Sequence, residues 1–173
     1  MNKPIPTAPS KFGASPKGKL AAAAVALMTA GLAGHEGVRM VAYADPIGIP
    51  TICLGQTKGV KLGQTATLEQ CLAWAGKDAM RAVEIVLDCN PNTEFTPHQL
   101  AAFADIAYNV GPRPVCDRKN STMARLLEQN RALDACYEFP KWNKARLAGV
   151  LTPFPGLTKR REANKAQCLT GVV

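Results

Sequence analysis

Residues 42–64 hold Asp45-Pro46, then Ile47-Gly48-Ile49-Pro50, then glycines at 55, 59 and 63. Pro lacks an amide donor and Gly leaves the backbone loose, so this spacing breaks helices. It suits short strands joined by turns. Immediately afterwards Thr67-x-x-Gln70 has the form of a capping box. Leu68, Cys71, Leu72, Ala75, Ala79, Ala82, Val83 and Val86 then recur at helical spacing, which predicts a long helix to about Leu87.

The helical signal continues. Thr96-Pro97-His98-Gln99 offers a second cap with Pro at the first helical position, followed by Leu100, Phe103, Ala104, Ala107 and Tyr108 up to Gly111. Shorter helices are expected over 121–129 and 131–138, and a last one from about Gly156 to Leu169. No internal repeat is visible. The fold class is therefore α+β: a small β lobe, then a larger helical lobe, with a cleft expected between them.

The first 34 residues differ in kind from the rest. Residues 1–19 are rich in Pro, Ser, Gly and Lys and contain no acid, so they read as a disordered cationic tail. Leu20–Gly34 is an uncharged stretch of fifteen residues in which seven are Ala. As a helix it spans about 22 Å at 1.5 Å per residue, against a hydrocarbon core of roughly 30 Å. A basic segment before an apolar one is the form of an export signal, and Lys17 and Lys19 predict a cytoplasmic N-terminus. Three readings stay open: a signal cleaved after Gly31-Leu32-Ala33, a weak anchor that leaves the membrane uncleaved, and an Ala-rich soluble helix. Residues 35–173 form the remaining domain.

The net charge is +8, with four lysines (3, 11, 17 and 19) in the tail. Such a surface attracts polyanions without choosing among nucleic acid, anionic lipid and wall polymer. No helix-turn-helix, zinc-finger or RNA-binding signature is present, so nucleic acid is not an expected partner. Six cysteines, at 53, 71, 89, 116, 136 and 168, form no CxxC pair or Cys/His cluster, so no metal is expected. Their wide scatter after an export signal suits disulfides in an oxidising compartment. Buried free thiols are the other reading, and six cysteines permit 15 pairings.

Hydrolysis of a glycosidic bond needs a protonated acid at the leaving oxygen and a second carboxylate managing water or charge on the sugar. Glu36 stands at the expected end of one helix and Asp45 in the turn-rich segment beyond it. Thr51 has a hydroxyl that can share a water with Asp45. Spacing alone describes two surface acids equally well.

Glu36-x8-Asp45-x5-Thr51 resembles the catalytic spacing of the phage-type lysozymes, glycoside hydrolase family 24. GVRMVAYADPIGIPTICLGQT, TPHQLAAFADIAYNVG, KNSTMARLLEQN, ACYEFPKWNKA and PGLTKRREANKAQCL resemble that family's successive segments, in order, from about Gly34 to Leu169. The resemblance implies Glu36 as general acid, Asp45 as second carboxylate and Thr51 as a holder of the nucleophilic water. It implies cleavage of the β-1,4 bond between N-acetylmuramic acid and N-acetylglucosamine in peptidoglycan, with inversion at the sugar and no cofactor. A signal-anchor-release endolysin of a lambdoid-like bacteriophage is the implied type. It would act as a monomer, tethered and inactive at the host inner membrane, then active in the periplasm. The family's thiol switch inside the membrane segment has no counterpart, since residues 20–34 lack cysteine.

The same resemblance places Gln99, Asn109, Ser121, Trp142 and Asn143 along the sugar-binding cleft, and Arg160 or Arg161 near the acid as a positioning group. Trp142 reads equally as a core anchor, Asn109 as a helix-end cap, and the arginines as an exposed basic turn. His35 has no partner in the family pattern and reads as exposed. A wall-binding module without catalysis is the alternative function; the complete Glu36, Asp45, Thr51 set argues against it.

Overall fold

A computed structural model describes residues 11–171 except 37, 46, 47 and 148; of 31–36 and 147 only the backbone is described. The chain divides into two compact units, residues 1–81 and 82–173.

In the first unit, helix α1 runs Pro16–Glu36. Ser15 starts it: its hydroxyl accepts from the Gly18 N–H at 3.2 Å, and Pro16 occupies the first helical position. Pro16–Lys19 are therefore helical, and the tail expected over 1–19 ends earlier than the composition suggests. Ala21, Ala24, Val25, Met28 and Thr29 form one buried stripe of α1, at the i, i+3, i+4 spacing of a single face. Thr29 satisfies its hydroxyl within the helix, donating to the Val25 carbonyl at 2.8 Å.

Strands β1 (Arg39–Ala44) and β2 (Pro50–Cys53) pair antiparallel, with Tyr43 opposite Thr51 and Ala44 opposite Pro50. Residues 64–66 flank β1 through Ala42 N–H to Gln64 O at 2.8 Å and Ala66 N–H to Met40 O at 2.9 Å. Ala42, Ile52, Cys53 and Cys71 make a small core, with Val38, Val60, Ala66 and Trp74 packed on it. The Cys53–Cys71 disulfide joins β2 to helix α2 (Leu68–Cys89). The expected capping box is formed: Gln70 N–H donates to Thr67 Oγ1 at 3.2 Å, and Thr67 N–H donates to Gln70 Oε1 at 2.8 Å.

In the second unit, α3 (Pro97–Val110) carries the Thr96/Gln99 capping box and is buried from Gln99 through Ala107. A helix buried over so long a run is a central one. Its Phe103 stacks on Phe139 at 5.3 Å between ring centroids, and Phe95 meets Phe103 edge-on. Around it come α4 (Arg113–Cys116), α5 (Thr122–Glu128), α6 (Ala132–Cys136), a 3-10 turn Phe139–Trp142, and α7 (Pro155–Cys168), which packs on α3. Disulfides Cys89–Cys116 and Cys136–Cys168 tie the end of α2 to α4 and α6 to α7.

A hairpin the sequence reading did not anticipate, β3 (Lys144–Leu147) with β4 (Val150–Pro153), precedes α7. Phe154 N–H donating to Asn143 O at 3.0 Å closes its open end. The helical majority with small antiparallel sheets is the expected α+β class.

Candidate active site

Asp45 and Thr51 lie on one face of one hairpin. Residues opposite each other across antiparallel strands share a face, and side chains alternate along each strand. Thr51 faces Tyr43. Asp45, two residues beyond Tyr43, returns to that face, diagonal to Thr51. The ladder continues one step past the strands, since Asp45 N–H donates to Ile49 O at 3.0 Å. In return Asp45 Oδ1 accepts from Ile49 N–H at 2.8 Å, and Gly48 N–H donates to Asp45 O at 2.9 Å. The acid thus builds the turn that presents it.

Thr51 is buried, and its hydroxyl donates to Ile49 O at 3.0 Å. With that proton committed, Oγ1 faces any further partner as an acceptor. Two acceptors on one face, a carboxylate and a hydroxyl oxygen, suit a water molecule that donates to both. Arg39 stacks over the Tyr43 ring on the same hairpin, 4.3 Å from its centroid.

Glu36 is the last residue of α1. Its side chain and that of His35, and with them the expectations for both, lie outside the described residues.

The sites expected in the second unit fall into two groups. Gln99 and Ser121 are buried and serve the fold. Gln99 Oε1 accepts from Thr96 N–H at 2.9 Å in the α3 capping box. Ser121 caps α5, accepting from Ala124 N–H at 3.2 Å while donating to Pro114 O at 2.6 Å. Their place in the matching motifs is thus explained by helix caps, which any helix start needs. Asn109, Trp142 and Asn143 are half-buried. Asn109 Nδ2 donates back to Asp105 O at 2.6 Å, and Asn143 Nδ2 donates to Thr158 Oγ1 in the first turn of α7 at 3.1 Å.

Arg160 and Arg161 converge on a residue the sequence reading passed over. Asp105, on α3, accepts from Arg160 Nη2 at 3.0 Å, from Arg160 Nε at 3.4 Å and from Asn164 Nδ2 at 2.8 Å. Arg161 Nη2 stands 3.7 Å from Asp105 Oδ2. Arg161 is fully buried, so it is no exposed basic turn. Burial lowers its guanidinium to about 10; Asp105 opposes that shift and Arg160 adds to it. A signal existed in the sequence: Asp105 is the sole acid within the apolar run of α3, and an acid there demands a cation.

Among the described residues no group of three or more His, Cys, Asp or Glu could hold a metal ion, and no helix is long and apolar enough to cross a membrane.

Comparison with known proteins identifies the family. The phage lysozyme family matches residues 33–164. The SAR-endolysin of Pseudomonas phage phiKMV is 41% identical over 150 residues, covering 87% of this chain and 91% of the relative. An endolysin of Acyrthosiphon pisum secondary endosymbiont phage 1 is 33% identical over 132 residues, 76% of this chain and 88% of its own length. The muramidase domain of SpmX from Asticaccaulis excentricus superposes with a TM-score of 0.72 at 25% identity, covering 83% of this chain and 95% of the domain.

Proposed function

We propose, from the premise that this chain belongs to the phage lysozyme family, that it is an endolysin whose muramidase activity lyses the bacterial host. The bond cut is the β-1,4 linkage between N-acetylmuramic acid and N-acetylglucosamine, with Glu36 as proton donor, Asp45 as the second carboxylate and Thr51 as its partner in holding water.

The observation that carries this reading is the shared hairpin face of Asp45 and Thr51. A water donating one proton to each oxygen turns a lone pair away from both, toward the anomeric carbon. Asp45 then takes up the proton as the oxygen attacks, while Glu36 protonates the departing sugar. Attack by water from the face opposite the leaving group inverts the sugar; it requires carboxyls about 6.5–9.5 Å apart, against about 5–5.5 Å for retention. Asn109, Trp142 and Asn143 are the candidates for sugar contacts that keep partial exposure. Arg160 and Arg161 supply the cations that position the acid.

Residues 20–34 serve as the export and release segment in this reading. The relative from phage phiKMV carries the name SAR-endolysin. Within α1 the stripe Ala21, Ala24, Val25, Met28 and Thr29 is buried in the folded chain, as a segment that has left the bilayer and packed on protein would be. The enzyme then waits at the inner membrane and works in the periplasm, as a monomer on peptidoglycan.

Turbidity clearing of permeabilised bacteria by the full-length protein and by its Glu36→Gln variant tests the enzymatic reading. Clearing by the parent and none by the variant is the expected result. Equal clearing would remove Glu36 from the chemistry, and no clearing by the parent would return the chain to a wall-binding role.

A further inference from the structure

Between Glu138 and Glu162 the chain carries no acid, while Lys141, Lys144, Arg146, Lys159, Arg160 and Arg161 all fall in that stretch. Lys141 pairs with Glu138, and Arg160 and Arg161 turn to Asp105. Lys144, Arg146 and Lys159 are exposed, and the first two stand on the β3–β4 hairpin.

The register fixes how that hairpin divides. Lys144 lies opposite Pro153 and Arg146 opposite Leu151, so these four share one face, and Ala145 and Thr152 share the other. Every residue of the first face is exposed, whereas Ala145 and Thr152 are half-buried. The outward face therefore carries two cations on one strand and two apolar side chains on the other. The tip extends it. Gly149 makes the turn with a φ of 86°, and Arg146 Nη1 donates to Gly149 O at 2.9 Å, which holds the guanidinium at the turn. Val150 and Leu151 are 65% and 58% exposed, and Val150 is the most exposed large apolar side chain among the described residues.

The surface that complements such a face is anionic outside and apolar beneath. A nucleic acid would match Lys144 and Arg146 but leave Val150 and Leu151 in water, and the hairpin offers no aromatic ring for a base to stack on. An uncharged sugar chain would leave the cations unmatched. We propose that the β3–β4 hairpin docks on the surface of an anionic phospholipid bilayer, with Val150 and Leu151 entering between headgroups and Lys144 and Arg146 meeting their phosphates. The hairpin rests at headgroup depth. Its sheet has two strands, so both outer edges keep backbone polar groups that hydrocarbon cannot satisfy. At about 3.3 Å per residue its strands are also only about 13 Å long. This contact is a different element from residues 20–34, and it stands whichever residue donates the proton.

The test uses full-length protein sedimented with vesicles of phosphatidylethanolamine and one quarter phosphatidylglycerol, against vesicles of phosphatidylcholine alone. Residues 20–34 are the same in every variant, so ratios to the parent read the hairpin. Each cation near an anionic surface is worth about fivefold in partition, so Lys144→Gln with Arg146→Gln is expected to weaken binding to the anionic vesicles by about 25-fold. Its binding to phosphatidylcholine should change little. Val150→Ser with Leu151→Ser is expected to cost about tenfold on the anionic vesicles. A Leu151→Trp variant reads the tip even where residues 20–34 hold every protein on the vesicles. Its emission beyond the parent's should be quenched by brominated phosphatidylglycerol, and the quenching should vanish when Lys144→Gln and Arg146→Gln are added.

Parental binding by both double variants, with no quenching of the tryptophan at 151, would overturn the proposal. Two other occupants give their own signatures. Variants that lose pelleting with purified peptidoglycan sacculi, yet bind vesicles like the parent, assign the face to the wall. A parent that dimerises without lipid, and a Val150→Ser, Leu151→Ser variant that does not, assign it to a second copy. Either result overturns the bilayer contact. Melting curves establish that the double variants are folded; where one is not, the Leu151→Trp quenching decides.

Discussion

Asp45 and Ile49 close their turn from both sides, the amide of Asp45 donating to the Ile49 carbonyl at 3.0 Å and the amide of Ile49 donating to the Asp45 carboxylate at 2.8 Å. The same side chain therefore holds the hairpin and carries the proposed base, and the two roles separate by substitution. Asp45→Asn keeps an oxygen for the Ile49 amide and removes the proposed base. We expect the variant to fold with an unchanged melting temperature while kcat falls by about 10²–10⁴-fold, the usual contribution of a positioned acid or base. Asp45→Ala should lose stability as well. A melting curve beside a turbidity assay distinguishes them; near-parental activity in Asp45→Asn would leave Asp45 with the turn alone.

Thr51 gives a narrower test. Thr51→Val preserves the buried shape and deletes the hydroxyl, leaving the Ile49 carbonyl without that donor. The carbonyl keeps the Asp45 N–H, so only a modest stability loss of about 0.5–1.5 kcal/mol is expected from the lost hydrogen bond, with kcat reduced further than unfolding explains. Thr51→Ser keeps the hydroxyl and should recover most of the rate. Equal rates for the Ser and Val variants, measured where both are folded, would exclude a hydroxyl role.

Three disulfides close loops of 18, 27 and 32 residues. Constraint of the unfolded chain gives each about 3–4 kcal/mol, so Cys89→Ala with Cys116→Ala should lower the melting temperature by roughly 10 °C. Reduction of all three should leave little folded protein at 37 °C. Calorimetry with and without reductant measures this, and an unchanged transition on full reduction would show that the helical packing suffices.

Replacing Gly31 and Ala33 with leucine lengthens the strongly apolar part of the 20–34 segment and favours the bilayer. The doubly substituted protein should stay in the membrane fraction after a carbonate wash and lyse cells later than the parent. Release into the periplasmic fraction at the parental rate would contradict the segment's proposed role.

Much of the fold was legible because its signals are local. Both capping boxes formed where Thr67-x-x-Gln70 and Thr96-x-x-Gln99 predicted them, since a cap depends on residues three apart. α3 stops at Gly111, whose φ of 83° is a conformation that glycine tolerates without strain. The β3–β4 hairpin escaped notice because its strands are four residues each and mostly exposed, which leaves almost no alternating pattern to read. Gln99 and Ser121 were expected on sugar and found in caps: a motif match locates a residue without saying which neighbour takes its polar atoms.

Sequence alone determined the order of the long helices, the position of the Asp45 turn and the presence of six cysteines free of any metal-binding spacing. It left the 15 pairings open, because which sulfurs meet depends on how α2, α4, α6 and α7 pack. It also left Asp105 as one acid among alanines. Only the packing of α3 on α7 brought that carboxylate to Arg160, Arg161 and Asn164, since the hydrogen bonds joining them cross 55 and 59 residues of chain and no local rule reaches so far.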